Sequence, residues 1–328
     1  MSAMQNPRGS SRTTTVISLV VLLGTVAGIG LYMGSHPELF DRIRSLSVGS
    51  GLLLFLMSVL MLAANGLYLR IFAKKFDLDL HAKEWFGLAA VTALGNYLTP
   101  LSGGLVARAA YLKRRHNFPY AHFLAMLAAN YMIAFAVIGV TGIVTLLTLT
   151  GTERVSWPVL LVFLATLSMI PLVLLVPSTF IGSRHRWLLF VNHAMEGLHA
   201  IRKDGALLGK LIATTFFNIT VGALLLFVAF ASTGFPIPFS VALLIFLLTS
   251  YTVLINITPG NLGVQEVATS LAAAILGAGA EAGLLASLVV RAVAILASFT
   301  IGPIFSYLLS KELMAAGNVA QPDRKEFP

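Results

Sequence analysis

The chain has 328 residues, of which 57% are hydrophobic and only 11% charged, and apolar runs long enough to cross a bilayer recur along it. This composition excludes a soluble globular enzyme and predicts an all-α polytopic membrane protein. The net charge of +9 is spread over several short loops, which indicates membrane topology rather than nucleic-acid binding. The chain contains no cysteine, which excludes disulfides and thiolate metal sites.

The first part of the chain starts with a polar, basic tail at residues 1–15 and continues into a membrane helix at 16–33. A second helix is predicted at 48–69. The apolar segment 85–98 is shorter than the ~20 residues that a span requires, and it ends at a Thr-Pro pair. Basic loops lie on both sides of residues 85–108, so a single crossing would put one of them outside. A re-entrant hairpin from the cytoplasm satisfies both loops.

Two further helices are predicted at 121–149 and 157–176. The segment 184–203 mixes basic residues with an apolar helix face, which predicts an amphipathic helix on anionic lipid headgroups at the cytoplasmic surface. A plain connector is an equal alternative for this segment. His193 and His199 lack the i, i+4 spacing of a metal pair, and no metal or other cofactor is predicted.

The second part of the chain contains a helix at 211–232 and a last helix at 284–309, followed by a cytoplasmic tail at 311–328. Between these helices lies an apolar segment, 239–276, whose first half is expected to be helical as far as residue 257. Both flanks of this segment lack positive charge and are expected outside. A second hairpin, from the outside, is therefore predicted.

The resulting architecture has about six transmembrane helices and two re-entrant helical hairpins in a single domain at 16–310. The hairpins enter from opposite faces, which predicts an inverted repeat with halves at about 48–176 and 211–309. We expect the protein in the cell (inner) membrane of a bacterium or archaeon, with both termini in the cytoplasm.

The two interrupted segments carry matching motifs. Residues 96–108 read NYLTPLSGGLVAR and residues 256–266 read NITPGNLGVQE, so each has Thr-Pro, a glycine four residues later and a final charge. Broken helices at membrane depth are typical of transporter binding sites. The candidate substrate-binding residues are the polar, helix-breaking and charged positions of both motifs, with one arginine of the last helix. They are Asn96, Thr99, Pro100, Gly103, Gly104, Arg108, Asn256, Thr258, Pro259, Gly260, Gly263, Glu266 and Arg291.

The motif from Thr258 to Glu266 resembles the TPGGLGxxE signature of the lysylphosphatidylglycerol synthase transmembrane family, also called flippase-like. Residues 96–115 are similar to the N-terminal motif of that family, and the resemblance extends over about residues 15 to 310. Asn261 stands where the family usually has its second glycine. The resemblance implies translocation of a lipid between leaflets, and we expect a stand-alone member without the aminoacyl-transferase domain of bifunctional members.

The leading hypothesis is a lipid translocase, not an enzyme, that takes a phospholipid or a polyprenyl-type lipid into a central cavity between the hairpins. Arg108 would then meet a lipid phosphate, and Glu266 would meet a cationic group or exchange a proton. The alternative is that these two residues pair with each other and only close the structure. Arg291 either lines the cavity or reaches the interface. Each of the two charges requires a partner at membrane depth, which is the other charge, Arg291, water or a ligand.

The second hypothesis is a membrane-embedded transferase, or an accessory subunit, that acts on a lipid-linked substrate. A second copy of the chain and a partner membrane enzyme are both open as partners. Asn65, Asn130 and Asn218 lie within predicted spans, where hydrogen bonding between helices is the commoner role of an asparagine.

Overall fold

The structure is a computed structural model, and it describes residues 46–99, 101–150, 157–175, 204–255 and 257–319 together with Leu31 and Gly34. The predicted N-terminal tail, most of the first helix, the amphipathic helix at 184–203 and the end of the C-terminal tail lie outside the described residues. Pro100 and Asn256 of the two motifs lie outside them as well.

The described part of the chain is helical and contains no strand. Its helices, which we number in chain order, are α1 (Val48–Lys75), α2 (Ala82–Leu98), α3 (Gly103–His116), α4 (Tyr120–Thr150), α5 (Trp157–Leu175), α6 (Gly205–Ser232), α7 (Phe239–Thr249), α8 (Val264–Ile275) and α9 (Ala280–Val319). Two 3₁₀ turns, Ser250–Ile255 and Pro259–Asn261, connect α7 to α8.

Four of these helices are long and apolar enough to cross a bilayer: α1, α6, most of α4 (Tyr120–Thr148) and most of α9 (Ala280–Met314). The segments Trp157–Ser168 and Phe239–Ile255 are shorter apolar helices. An all-helical membrane protein is thereby confirmed. Each segment predicted to be a hairpin is a pair of short helices with a break between them, α2 with α3 and α7 with α8.

Three helices, α1, α6 and α9, are longer than the sequence predicted by six residues or more. Helix α6 was predicted at 211–232 but begins at Gly205, where Asp204 Oδ1 accepts a hydrogen bond from Leu207 N at 3.0 Å. The predicted end of α1 was residue 69, but the helix continues to Lys75 and stops only where Asp77 adopts a left-handed conformation (φ 57°). The last helix was predicted at 284–309 and extends over Ala280–Val319. Its added turn carries Glu312, which pairs with Lys83 at 2.6 Å. Hydropathy alone assigned this polar stretch to the tail.

The α-helical part of α7 is shorter than predicted, because it ends at Thr249 instead of near residue 257. Side-chain hydroxyl groups donate hydrogen bonds to backbone carbonyl oxygens at this end. Ser250 Oγ donates to Phe246 O at 2.7 Å, and Thr252 Oγ1 donates to Thr249 O at 2.7 Å. Such side-chain bonds compete with the α-helical ladder, and the chain tightens to a 3₁₀ turn ahead of Pro259.

One end of the bundle, which we call the basic end, joins the start of α2, the end of α3, the start of α6 and the end of α9. A buried cluster there contains Leu88, Leu112, Leu211 and Leu309, one from each of these helices. Eight Lys and Arg residues lie on these helix ends and on the end of α1: Lys74, Lys75, Lys83, Lys113, Arg114, Arg115, Lys210 and Lys311.

The opposite end of the bundle joins the start of α1, the end of α6, the end of α8 and the start of α9. Its buried cluster contains Leu54, Phe230, Ala273 and Ala286. The outer ends of α2 and α3 therefore lie at the basic end, whereas α8 ends, and α7 begins, at the opposite end. The two helix pairs point their breaks toward each other, and the 3₁₀ turn at Pro259–Asn261 packs against α2.

Candidate functional site

The arms of the first helix pair, α2 and α3, cross at two glycines. A Cβ on Gly95 would lie 2.7 Å from Gly104 Cα, and a Cβ on Gly104 would overlap the carbonyl oxygen of Thr92. Asn96 Oδ1 accepts a hydrogen bond from Gly104 N at 3.1 Å, which ties the start of α3 to α2. Only residues without a side chain permit this approach, so Gly104 and Asn96 fix the geometry of the break.

The position of Arg108 follows from this crossing, since α3 begins beside α2 and its next turn faces the same helix. Arg108 Nε donates to Thr92 Oγ1 at 2.8 Å, while Thr92 Oγ1 itself donates to Leu88 O at 2.6 Å. Within the described part of the chain, no carboxylate lies within 4 Å of the Arg108 guanidinium, and this is its one hydrogen bond. Its two terminal nitrogens are available to a ligand.

The second break, between α7 and α8, depends on left-handed backbone. Gly260 has φ 58°, Asn261 has φ 58° and Gly263 has φ 87°. Thr258 Oγ1 donates to Leu262 O across the turn at 2.7 Å, and Asn261 Nδ2 donates to Thr252 O at 3.1 Å. These residues hold the turn of the break in shape.

Glu266 and Arg291 form a buried ion pair between α8 and α9. Arg291 Nε donates to Glu266 Oε1 at 2.6 Å, and Glu266 Oε2 accepts from Gly263 N at 2.7 Å. The side chain of Glu266 is 2% exposed and that of Arg291 10% exposed. The pair thus satisfies both oxygens of the carboxylate, one with a guanidinium and the other with a backbone donor at the start of α8.

The remaining nitrogens of Arg291 connect this pair to the break itself. Nη1 donates to Gly260 O at 2.6 Å and to Tyr97 Oη at 3.3 Å, and Nη2 donates to Gln265 Oε1 at 2.8 Å. A Cβ on Gly260 would overlap the Tyr97 ring, so the tips of the two helix pairs are in direct contact. Arg291 therefore holds α9, α8 and the tip of α2 together.

A cavity of about 280 Å³, which we call the α3 cavity, lies between α1, α2, α3 and α4. It exists because α3 touches α4 at few points, whereas α8 packs closely along α9 in the corresponding position of the second half. Its polar lining includes Asn65, Thr92, Asn96, Arg108, Asn130 and Tyr131.

A second cavity of about 230 Å³, the α9 cavity, lies between α1, α2 and the helices α6 to α9. Its polar lining includes Ser58, Tyr97, Gln265, Thr269, Arg291 and Ser298. Leu62, Asn65 and Ala93 line both cavities, so a thin wall of α1 and α2 separates them. Each cavity contains one arginine, and neither has an Asp or Glu among the described residues that line it.

Some of the predicted site residues shape the two breaks, and others line one of the cavities. Asn96 and Arg108 line the α3 cavity, and Arg291 lines the α9 cavity, which decides between the two positions considered for that arginine. A Cβ on Gly103 would overlap Thr99 Oγ1, so this pair shapes the first break. Lipid contact by the predicted residues stays a prediction.

The alternative in which Arg108 pairs with Glu266 is wrong for this structure, because Arg291 occupies the carboxylate. Both helix pairs contain a break, but their charged residues have different partners. The basic residue that pairs with Glu266 is Arg291 of the long helix α9. Sequence symmetry favoured the charge at the end of the matching motif, whereas the structure selects Arg291, the other basic partner that the sequence left open.

Several residues of the two cavities were not among the predicted site residues. Thr92 accepts a hydrogen bond from Arg108, and Tyr97 and Gln265 each accept a hydrogen bond from Arg291. Two of them were within reach of sequence reasoning, because Tyr97 follows Asn96 and Gln265 precedes Glu266 in the motifs. Thr92 carries no such signal, since a threonine in an apolar helix is common.

Of the three asparagines expected to bond between helices, Asn65 and Asn130 do not do so in the described part of the chain. Asn65 Nδ2 donates to Met61 O of its own helix at 2.9 Å, and Asn130 Oδ1 has no hydrogen-bond partner there. Both line the α3 cavity.

Comparison with known proteins agrees with these features. The family model described as the lysylphosphatidylglycerol synthase TM region matches residues 12–302. A search of curated proteins found no match to the chain. The family match includes both breaks, both cavities and the three charged residues described above, Arg108, Glu266 and Arg291. The chain therefore belongs to the family of the lysylphosphatidylglycerol synthase transmembrane region.

Proposed function

We propose that this protein is a lipid translocase, which takes the headgroup of a membrane lipid into the α3 cavity and moves it between leaflets. The observation that carries the proposal is the state of Arg108. Its guanidinium lines a cavity within the bundle, has a single hydrogen bond to Thr92, and lacks a carboxylate partner in the described part of the chain. An unpaired charge at membrane depth is costly and is by default functional.

The proposal includes two re-entrant hairpins. α2, α3, α7 and α8 have 17, 14, 11 and 12 residues, each fewer than the ~20 that a span requires. Their outer ends lie at opposite ends of the bundle and their breaks meet, as expected for hairpins that enter a bilayer from its two faces. The element order of a long helix, a broken pair and a long helix occurs twice, α1 to α4 and α6 to α9, which supports an inverted repeat.

The orientation follows from the charges. Lys and Arg collect at the basic end, whereas Glu281 is the one charged residue near the opposite end among the described residues. We therefore propose that the basic end faces the cytoplasm. In this orientation α2 and α3 enter from the cytoplasmic side, and α7 and α8 enter from the outside.

The test is translocation without a co-substrate. The purified protein is placed in liposomes of phosphatidylcholine and phosphatidylglycerol with a trace of acyl-labelled fluorescent phosphatidylglycerol, and dithionite is added outside. In protein-free vesicles, we expect dithionite to quench only the label in the outer leaflet. In protein-containing vesicles, we expect it to quench the inner-leaflet label as well, because the protein moves the labelled lipid to the outer leaflet. Equal quenching with and without protein, in vesicles that remain sealed, would contradict a translocase.

The same assay separates a translocase from a membrane-embedded transferase or accessory subunit. A transferase changes the lipid covalently and requires a donor, so lipid extracted after the assay would show a product of altered mass only when a donor is supplied. An accessory subunit would leave both the distribution and the mass of the lipid unchanged until its partner enzyme is added.

A further inference from the structure

Both cavities have a positively charged lining, which determines the kind of lipid headgroup that each can bind. Each is lined by one arginine, Arg108 or Arg291, and by neutral polar groups, with no carboxylate among the described lining residues. A cationic ligand group therefore meets no opposite charge on these walls. An anionic group meets a guanidinium, whose planar set of donors fits phosphate oxygens.

Glu266 is the one acid whose motif position made it a candidate for binding a cationic headgroup, and it is not free to do so. Its oxygens are occupied by Arg291 Nε at 2.6 Å and by Gly263 N at 2.7 Å, and its side chain is 2% exposed. An ammonium group would have to displace the Arg291 guanidinium, which also binds Gly260 O and Gln265.

We infer that the α3 cavity selects lipids whose headgroup carries phosphate charge and no cationic group, and that it disfavours aminoacylated and other amine-bearing headgroups. This inference rests on the proposed function and narrows it to one chemical class of lipid. Arg108 binds the phosphate through its two free terminal nitrogens. Asn130 also lines this cavity and adds a neutral polar side chain to its wall.

The anchoring of Arg108 strengthens this assignment. Its Nε is held by Thr92 Oγ1, and the hydroxyl proton of Thr92 is committed to Leu88 O. The guanidinium is thus held through Nε, while Nη1 and Nη2 have no hydrogen bond in the described part of the chain. A ligand phosphate finds a donor pair that is already oriented, which lowers the entropic cost of binding.

The experiment compares the binding of four dioctanoyl lipids to the unmodified protein in detergent by native mass spectrometry. The lipids are phosphatidic acid, phosphatidylethanolamine, lysyl-phosphatidylglycerol and dioctanoylglycerol, which carries no phosphate. We expect phosphatidic acid to bind most tightly. We expect the two amine-bearing lipids and the uncharged lipid to bind at least about tenfold more weakly, the factor that one hydrogen bond to a charged group contributes.

The variants test whether Arg108 is the group responsible. Arg108→Gln should weaken the binding of phosphatidic acid about tenfold and leave dioctanoylglycerol unchanged. Arg114→Gln removes the same charge from an exposed position of the same helix and should change neither. Arg108→Lys retains the charge but not the paired donors, so its affinity should fall between those of the unmodified protein and the glutamine variant.

The outcomes distinguish this inference from the translocase proposal. Lysyl-phosphatidylglycerol binding as tightly as phosphatidic acid, in a protein that moves lipid in liposomes, would overturn the headgroup class and leave the translocase intact. Equal loss of binding in Arg108→Gln and Arg114→Gln would overturn the role of Arg108. Failure to move any labelled lipid would contradict the translocase itself. The lipid comparison uses the unmodified protein, so it holds even where a variant fails to fold.

Discussion

At the scale of single residues, the two intramembrane arginines have different surroundings. Arg291 is surrounded by Glu266, Gln265 and the Gly260 carbonyl, so its charge is compensated within the protein. Among the residues that the structure describes, Arg108 has one neutral acceptor, Thr92. A compensated charge stabilises a fold when both partners are present, whereas an uncompensated one is retained at a cost. Arg291 therefore holds the break in shape, and the ligand contact proposed for Arg108 is consistent with its lack of a carboxylate partner among the described residues.

We expect a double-mutant cycle to show strong coupling between Glu266 and Arg291. Glu266→Gln or Arg291→Gln alone should lower the free energy of unfolding by about 3–5 kcal/mol, because each leaves a buried charge without its partner. The double variant should lose clearly less than the sum of the two. Chemical unfolding of the purified protein in detergent measures each value.

The pair Lys83–Glu312 provides the control for this cycle, since its atoms are also 2.6 Å apart but its side chains are 47% and 28% exposed. Solvent screening limits such a pair to ~1 kcal/mol or less, so Lys83→Gln should have a small effect. If the losses at Glu266 and Arg291 simply add, the two residues do not depend on each other and their structural assignment is wrong.

At the scale of elements, each half of the molecule contains a pair of short helices joined through a break, and the first pair depends on the Gly95–Gly104 crossing. The crossing sets the start of α3 against α2 and so determines where Arg108 lies. It also leaves α3 separated from α4, which opens the α3 cavity. The break is thus a structural requirement of the cavity.

Gly104→Ala should displace α3, because the added Cβ would overlap the backbone carbonyl oxygen of Thr92, which cannot rotate away as a side chain can. Overpacking of this kind costs about 1–3 kcal/mol, and the binding of phosphatidic acid should fall as Arg108 moves away from Thr92. Thermal unfolding and native mass spectrometry measure the two effects.

Gly209→Ala is the matched control, since a Cβ at this position in α6 meets nothing within 4 Å. It should leave binding unchanged and stabilise the helix by up to ~1 kcal/mol. A Gly104→Ala protein that binds phosphatidic acid like the unmodified protein would show that the crossing does not determine the position of Arg108.

At the scale of the whole molecule, the charge distribution and the hairpins predict one topology, in which both arms of α2 and α3 return to the cytoplasm. Because the chain has no native cysteine, single cysteines can be introduced at exposed positions: Lys74 and Arg114 at the basic end, and Pro236 and Ala280 at the opposite end. In intact cells, a membrane-impermeant maleimide should label positions 236 and 280 only. Positions 74 and 114 should become labelled after permeabilisation.

The contrast between positions 74 and 114 is the critical part of this experiment. If one of them is labelled from outside while the other is not, α2 and α3 cross the bilayer and the first re-entrant hairpin is wrong. If positions 74 and 280 react from the same side, the long helices do not span as proposed.

Much of the fold could be predicted from the sequence alone, because its signals are local. Length and hydropathy identified α1, α4, α6 and α9 as long apolar helices, and the Thr-Pro and glycine positions located both breaks. The family followed from the motif at Thr258–Glu266. Within the described residues, most of the remaining errors in the fold concern helix ends. These depend on local side chains, such as Asp204 at the start of α6 and the serine and threonine hydroxyls at the end of α7.

The tertiary structure alone decided which charges meet. Glu266 and Arg291 are 25 positions apart on different helices, and no periodicity indicates that α9 turns Arg291 toward the start of α8. The same holds for the approach of Gly260 to Tyr97 and for the cavity between α3 and α4. Contacts of this kind depend on how whole helices pack, a property of all their side chains together. The sequence by itself determined the spans, the breaks and the family, whereas packing decided that Glu266 pairs with Arg291 and that Arg108 meets no carboxylate among the described residues.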